Sequence, residues 1–250
     1  MSSGRFCWHE LLTTDPAKSL TFLEALLGVK GKGSQHAPDA YTELYAAESP
    51  FGGLMATPDP AIPSCWLGYI LVEDLARDTE RARELGAEVH MANQEIPKVG
   101  RFSMLRDPQG AVFYLFQSQD EMPAGEVAPG TVCWSELHSP DLEGSTAFYS
   151  QLLGWKQKTL PLPGFQYTMF EQGGKDVAGM MAAQSGTPPF WLHYFLVQNT
   201  DQTCEKALEL GARVMAPPSD VPDMGRMAVL ADPTGAVFAL WAPVTAGVSQ

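Results

Sequence analysis

The sequence predicts an α+β fold built as two tandem copies of one plan. Three observations predict it. The string CWHELLTTDP (Cys7 to Pro16) returns as CWSELHSPDL (Cys133 to Leu142). Trp8, Glu10, Phe22 and Gly28 thereby recur as Trp134, Glu136, Phe148 and Gly154, at a constant offset of 126 residues. Further on, GRFSMLRDPQGAVFYLF (Gly100 to Phe116) returns as GRMAVLADPTGAVFALW (Gly225 to Trp241), one residue closer. A repeat this long marks duplication of a whole domain rather than a short solenoid unit. Within each copy, strand and helix signals mix without a steady βαβ alternation, which separates the chain from doubly wound folds.

The elements of the first copy follow from local chemistry. FCWHELLT (6–13) carries apolar and polar residues on both faces of a strand. Asp15 offers a capping carboxylate, and Pro16 suits the first helical turn. Leu20, Leu23 and Leu27 follow at helical spacing, and Gly28 ends the run. Tyr41 to Ala46 and Gly53 to Ala56 read as short strands, and Trp66 to Glu73 as another. Ala76 to Leu85 reads as a second helix closed by Gly86. Ala87 to Met91, Arg101 to Arg106 and Ala111 to Gln117 read as strands, with Asp107-Pro108-Gln109-Gly110 as a turn. Gly31-Lys32-Gly33 follows a helix rather than a strand and is not read as a phosphate loop. The acidic, Pro- and Gly-rich stretch from Ser118 to Gly130 divides the copies. The expected units are residues 1–119, a linker at 120–130, and residues 131–250.

The chain has 250 residues, 45% of them hydrophobic, enough for two cores of ordinary size. Its net charge of −13 repels nucleic acid and anionic membranes. No apolar run approaches the ~18 residues of a membrane span. MSSGRFCWHE lacks the basic-then-apolar layout of a secretion signal, so a cytoplasmic location is expected. The four cysteines form no CxxC pair; reduced, mostly buried thiols are expected and a zinc knuckle is not. GxSxG, P-loop and HExxH motifs are absent.

This layout resembles the vicinal oxygen chelate superfamily, the group of glyoxalases, bleomycin-resistance proteins and extradiol dioxygenases. The residues that carry the resemblance are the strand-Asp-helix-Gly start, FCWHELLTTDP through Leu26-Leu27-Gly28, and the DPxGAVF run that closes each half. It is similar to the two-domain glyoxalase-like branch, whose halves open on W-x-E/D-L. The resemblance implies four βαβββ modules, two per half, curled into two cup-shaped half-barrels around a small molecule, in a monomer or homodimer. It speaks to fold more than to reaction.

The family holds a divalent metal by His, Glu or Gln at four places in a cup, where it polarises two substrate oxygens. The matching places here are Trp8 and Trp134, the neighbourhood of Leu54 and Met180, Leu67 and Leu192, and Tyr114 and Ala239. None is a good ligand for Zn, Ni, Fe or Mn, so no metal and no cofactor are expected. His193 lies one residue past the third place, where strand alternation turns it to the opposite face. It is kept as a candidate ligand contact.

Strand period puts Glu10 on the face of Trp8, and Glu136 with His138 on the face of Trp134. Tyr69 and Tyr194 lie two residues past the vacant third place, and Tyr114 closes the first cup. The candidate ligand-binding residues are thus Trp8, Glu10, Tyr69, Tyr114, Trp134 and His193. Buried glutamates need partners. Three roles are open: a structural bond to backbone or tyrosine, reception of a basic aromatic ligand, or acid/base catalysis by Glu136, His138 and Tyr194 on a small carbonyl or enol. Leu12 takes the place of His138 in the first half, which confines such chemistry to the second. Arg101 and Arg226 are expected in ion pairs that steady the DPxG turns. The expected function is metal-independent binding of a small aromatic or hydrophobic metabolite or drug. The alternative is a lyase, isomerase or hydroxylase-like enzyme.

Overall fold

The two halves begin alike because the same local signals recur. In the computed structural model, which describes residues 3–34, 36, 41–122, 125, 127–162 and 165–244, strand β1 (Phe6–Thr13) leads into helix α1 (Pro16–Leu27). The Asp15 carboxylate accepts from the Lys18 N–H at 3.1 Å, and Gly28 ends the helix in the left-handed region at φ 71°. Both features suit the residues that supply them. The first half continues with β2 (Lys30–Gly33), β3 (Thr42–Ala46), β4 (Ser49–Ala56), β5 (Cys65–Leu71), α2 (Leu75–Glu84), β6 (Glu88–Ile96), β7 (Gly100–Arg106) and β8 (Val112–Ser118). The second half repeats it as β9 (Val132–Ser139), α3 (Leu142–Leu153), β10 (Lys156–Leu162), β11 (Phe165–Gln172), β12 (Lys175–Ala182), β13 (Phe190–Leu196), α4 (Thr200–Glu209), β14 (Arg213–Val221), β15 (Gly225–Ala231) and β16 (Val237–Pro243).

Two elements depart from expectation. Gly31-Lys32-Gly33 belongs to β2, an edge strand paired only with β3. β6 continues past Met91 to Ile96 as the opposite edge. Edge strands exposed to water lack the apolar alternation that reveals a strand in sequence.

Each half is one eight-stranded sheet, ordered β2-β3-β4-β1-β5-β8-β7-β6 and β10-β11-β12-β9-β13-β16-β15-β14. The central pair, β1 with β5 or β9 with β13, is antiparallel and joins two βαβββ modules into a cup. Parallel partners flank each central pair. The architecture is therefore a duplicated α+β fold.

Alternation along β1 sorts the residues. Trp8, Glu10 and Leu12 face the cup, where Leu12 packs with Leu67, Tyr69, Leu71, Tyr114 and Phe116. Leu11 faces the other way, into a core shared by both halves. That core joins Phe22, Leu54 and Trp66 to Phe195, Phe238 and Leu240. Its counterpart joins Ile70, Phe113 and Leu115 to Phe148, Tyr149, Trp155 and Trp191. Burying each such side chain is worth ~1.5–3 kcal/mol. The sheets thus stand back to back with helices between them, and each helix of a βαβββ start docks on the other half.

The DPxG turns lock this arrangement. The Asp107 Oδ1 accepts from the backbone N–H groups of Gln109, Gly110 and Ala111 at 3.0, 2.7 and 2.8 Å. Its Oδ2 accepts from the Tyr149 hydroxyl of α3 at 2.9 Å. In the second half Asp232 accepts from Thr234 and Ala236, and from Ser19 of α1 at 3.4 Å. Arg226 does not serve this turn, contrary to expectation: it pairs with Asp201 at 2.6 Å and Asp220 at 2.8 Å. Among the described residues Arg101 reaches Gln117, at 3.4 Å, and no carboxylate.

At the pseudo-twofold seam, positions that match in the repeat carry unlike residues. His9 matches Ser135, and His193 matches Gly68. Ser135 Oγ lies 3.4 Å from His9 Nε2 and 2.9 Å from His193 Nδ1, and the two imidazoles meet edge to face at 4.8 Å. A side chain at Gly68 would strike the Phe6 and His193 rings. Burial holds His9 down to about 3 and His193 well below the ordinary range, the latter aided by repulsion from His9.

Two outcomes are expected. Asp107→Ala leaves the Gln109 and Ala111 N–H groups and the Tyr149 hydroxyl without their acceptor, while the Gly110 N–H keeps the residue-107 carbonyl, so urea unfolding should show a loss of about 3 kcal/mol. A loss under ~0.5 kcal/mol, the size of a neutral surface change, would contradict the lock. For the histidines, the unfolded chain takes up protons near pH ~6.5, whereas folded His9 resists until about 3. Their contribution is complete above pH ~6.5 and declines as pH falls, by up to ~1.4 kcal/mol per unit for each ring. Glu10, whose carboxyl is pushed upward by burial, acts in the opposite sense in the acid range. His193→Gln should therefore lose less stability than the parent between about pH 7 and about pH 5; equal losses would exonerate the pair.

Candidate functional site: two cups with tyrosine-held glutamates

The register of the central strands builds each cup floor. Trp8 pairs with Tyr69 and Glu10 with Leu67; Trp134 pairs with Tyr194 and Glu136 with Leu192. Glu10 and Glu136 are buried. A buried carboxylate is costly unless donors reach it, and tyrosines do. The Tyr69 hydroxyl donates to Glu10 Oε1 at 3.2 Å, and that of Tyr194 to Glu136 Oε1 at 2.9 Å.

A second tyrosine completes each cluster. Tyr41 and Tyr167 also bond Glu10 and Glu136. Their hydroxyls in turn accept from the indole N–H of Trp8 at 2.9 Å and of Trp134 at 2.8 Å. The repeated W-x-E string thus encodes a Trp–Tyr–Glu–Tyr network. The indoles are neither free platforms nor simple filler; they are half-buried and tied by their nitrogens. Sequence reasoning placed Tyr41 only at the start of a strand. The signal for its role was present, since Tyr41 and Tyr167 are separated by the same 126 residues as the tryptophans.

The hydroxyls of Tyr41 and Tyr167 lie directly against the backbone of Gly53 and Gly179, where an added Cβ would overlap them. This explains the repeated glycine before Leu54 and Met180. Those two side chains point into the shared cores, not the cups. With Trp at the first place, a phenol over glycine at the second, Leu67 and Leu192 at the third, and Tyr114 and Ala239 at the fourth, the donor set does not fit a divalent metal. Among the described residues no group of three His, Cys, Asp or Glu is placed to hold one.

Burial raises the pKa of the phenols at Tyr41, Tyr69, Tyr114, Tyr167 and Tyr194, and the neighbouring glutamates add to the effect. They remain proton donors. Burial likewise pushes the thiols of Cys7 and Cys133 up to about 12 and that of Cys65 to about 11. None is an activated nucleophile.

The cups differ. In the first, Tyr114 stacks on Tyr69 at 4.3 Å with 9° between planes, and Phe102 and Phe116 close around them. In the second, Ala239 replaces Tyr114, and no ring contacts Tyr194 among the described residues. Cys133, Trp134, Phe190, Met227, Val229, Val237 and Trp241 are only partly buried there. His138 is added at the place of Leu12. Its Nε2 lies 2.9 Å from Glu136 Oε1, and its ring stacks on Phe190 at 4.7 Å and 17°. Glu136, His138 and Tyr194 are therefore brought together. His193 is not with them: it is fully buried at the seam beside His9, on the face opposite Trp134. That corrects its expected role as a ligand contact, and alternation is the reason.

Comparison with known proteins agrees with this architecture. A family model described as a glyoxalase-like domain matches residues 133–241. The chain is 32% identical over 247 residues to "Putative glyoxylase CFP32" of Mycobacterium bovis, covering 94% of each chain. It is 29% identical over 258 residues to the anthracycline biosynthesis protein DnrV of Streptomyces peucetius, covering 95% of this chain and 92% of that one. Among solved structures it resembles the Mn(II)-bound glyoxalase of Novosphingobium aromaticivorans, with a TM-score of 0.67, 14% identity, and 96% and 82% of the two chains covered. It also resembles 2,2',3-trihydroxybiphenyl 1,2-dioxygenase of Sphingomonas wittichii, with a TM-score of 0.68, 14% identity, and 100% and 94% covered. At that identity the structural likeness concerns fold alone.

The glycine contacts give a direct check. Gly53→Ala and Gly179→Ala should each cost about 1–3 kcal/mol, as overpacking does, and should shift tryptophan emission by breaking the indole–phenol bond. Gly33→Ala, at an open position, should do neither. Unchanged emission in the first two variants would refute the network.

Proposed function

As the chain belongs to the vicinal oxygen chelate superfamily, in its glyoxalase-like branch, we propose that its second cup binds a flat aromatic organic molecule without a metal. The observation that carries this reading is the difference between cups. Tyr69 is covered by Tyr114, whereas Tyr194 has no ring partner among the described residues and its neighbour is Ala239. In the first cup Tyr114 and Phe116 are buried beside Tyr69, with Trp8 and Phe102 half-buried around them. In the second Tyr194 is buried beside Ala239, and the aromatic rings around it, Trp134, Phe190 and Trp241, are all half-buried. Aromatic walls favour offset stacking and edge contacts with a planar ligand. Trp134, Phe190 and Trp241 supply those walls; in the first cup Trp8, Glu10, Tyr69 and Tyr114 keep the fold. The likeness to a protein named for anthracycline biosynthesis supports the same ligand class.

No helix among the described residues is long and apolar enough to cross a membrane, and the net charge of −13 disfavours polyanions. Both fit a small-molecule partner in a protein that is not membrane-spanning through helices.

A hydroxyanthraquinone titrated against the protein should quench tryptophan emission with one saturable site per chain. Ala239→Tyr, which copies Tyr114, should weaken it at least ~10-fold, a loss of about 1.4 kcal/mol. Tyr114→Phe should leave it unchanged. Absence of saturable quenching, or equal affinity in Ala239→Tyr, would reduce the second cup to a scaffold.

A further inference from the structure

The two halves provide an internal comparison. Both contain the complete Trp–Tyr–Glu–Tyr network, so the fold is satisfied without anything more. The first half adds the phenol of Tyr114 and the thiol of Cys65, both driven further toward their protonated forms by burial and Glu10, whereas the second adds an imidazole. His138 stands where the first half has buried Leu12, and its stacking partner Phe190 stands where the first half has Cys65. His138 is thus surplus to the needs of the sheet.

Its environment fixes its chemistry. A carboxylate only accepts hydrogen bonds, so the 2.9 Å contact with Glu136 Oε1 assigns the proton to His138 Nε2. The neutral ring then presents Nδ1 as a lone pair. Nδ1 has no hydrogen-bond partner among the described residues, and it is not among the sealed polar atoms, where His193 Nε2 stands alone. The side chain is 16% exposed. The titratable groups gathered beside it are Glu136 on its own strand, Tyr194 of β13 and Tyr167 of β11, whose phenols both bond Glu136; Met181 is its partner on β12.

We propose that His138 is a general base of the second cup, oriented by Glu136, and that the ligand it serves carries an acidic hydroxyl, a phenol or an enol, on its flat ring. The inference rests on the reading of the second cup as a ligand site. In the step, Nδ1 takes the hydroxyl proton. The O–H bond breaks, its electron pair stays on oxygen, and the ligand becomes an oxyanion. The imidazolium formed is neutralised by the Glu136 carboxylate at Nε2. The transfer needs no oxidant and no further reactant. Tyr194 holds the other donor bond to the same oxygen of Glu136 and is a positioning residue.

The probe is 4-nitrophenol, whose ionised form absorbs in the visible. It is mixed with the full chain at a pH below its own pKa. Saturable appearance of the ionised band is expected, together with its loss in His138→Leu, the residue the first half already uses. His138→Leu should still show saturable tryptophan quenching, at weaker affinity than the parent, and should retain its unfolding transition. Glu136→Gln should weaken the ionised band more than the quenching. Probe bound in its protonated form, or an ionised band that survives His138→Leu, would overturn the base and leave the ligand site standing. No quenching at all by 4-nitrophenol would remove the ligand site and the base together.

Discussion

A carboxylate closed off from water dictates the interior of each half. Glu10 and Glu136 lie on the central strand of a curved sheet with almost no exposure. An unpaired charge there would cost several kcal/mol. Each therefore gathers phenols from two other strands or their edges, and one of those phenols gathers the indole two residues upstream. The phenol needs room, and a glycine on β4 or β12 gives it. One polar residue thus fixes the identity of four others, one on its own strand and three on or beside three other strands. That coupling accounts for the survival of W-x-E in both copies while other residues diverged.

The same duplication is complementary where the halves touch. His9 faces Ser135, and His193 faces Gly68, so large residues of one copy fill spaces left by small residues of the other. A chain made of two identical halves could not pack this way, because like residues would collide at the axis. The DPxG turns do the reverse: each keeps its aspartate and uses a different hydroxyl on the other half, Tyr149 or Ser19. The seam is thus built from divergence at the axis and conservation of chemistry at the rim.

Much of the fold was legible in the sequence, because duplication exposes itself as a fixed offset and because caps and glycines punctuate the helices. Strand alternation alone assigned Trp8, Glu10, Trp134, Glu136 and His138 to one face. It also warned that His193 turns away, which the seam geometry bears out. The edge strands β2 and β6 were harder, since their exposed residues follow no apolar period. Tyr41 and Tyr167 were harder still. They belong to the site through a bond to a residue 33 positions away, and no local pattern records such a contact. What makes the second cup different was readable only as a pair of substitutions, Tyr114 to Ala239 and Leu12 to His138. Their meaning required knowing that both positions border the same glutamate.

The network on each cup floor differs in kind from a metal centre. A divalent ion stabilises developing negative charge on two oxygens at once and is indifferent to protons. Glu136 with two phenols is the opposite kind of centre, since it accepts hydrogen bonds and its donors are already engaged. It cannot receive an oxyanion itself. A proton acceptor at this floor has to be a separate group. In the second half one imidazole lies beside the carboxylate, with one nitrogen bonded to it and the other without a hydrogen-bond partner among the described residues. In the first half the same carboxylate has only apolar leucine beside it on the strand and a closed stack of rings above it. The fold has kept one electrostatic arrangement twice, and His138 beside Glu136 marks where the second half departs from the Leu12 of the first.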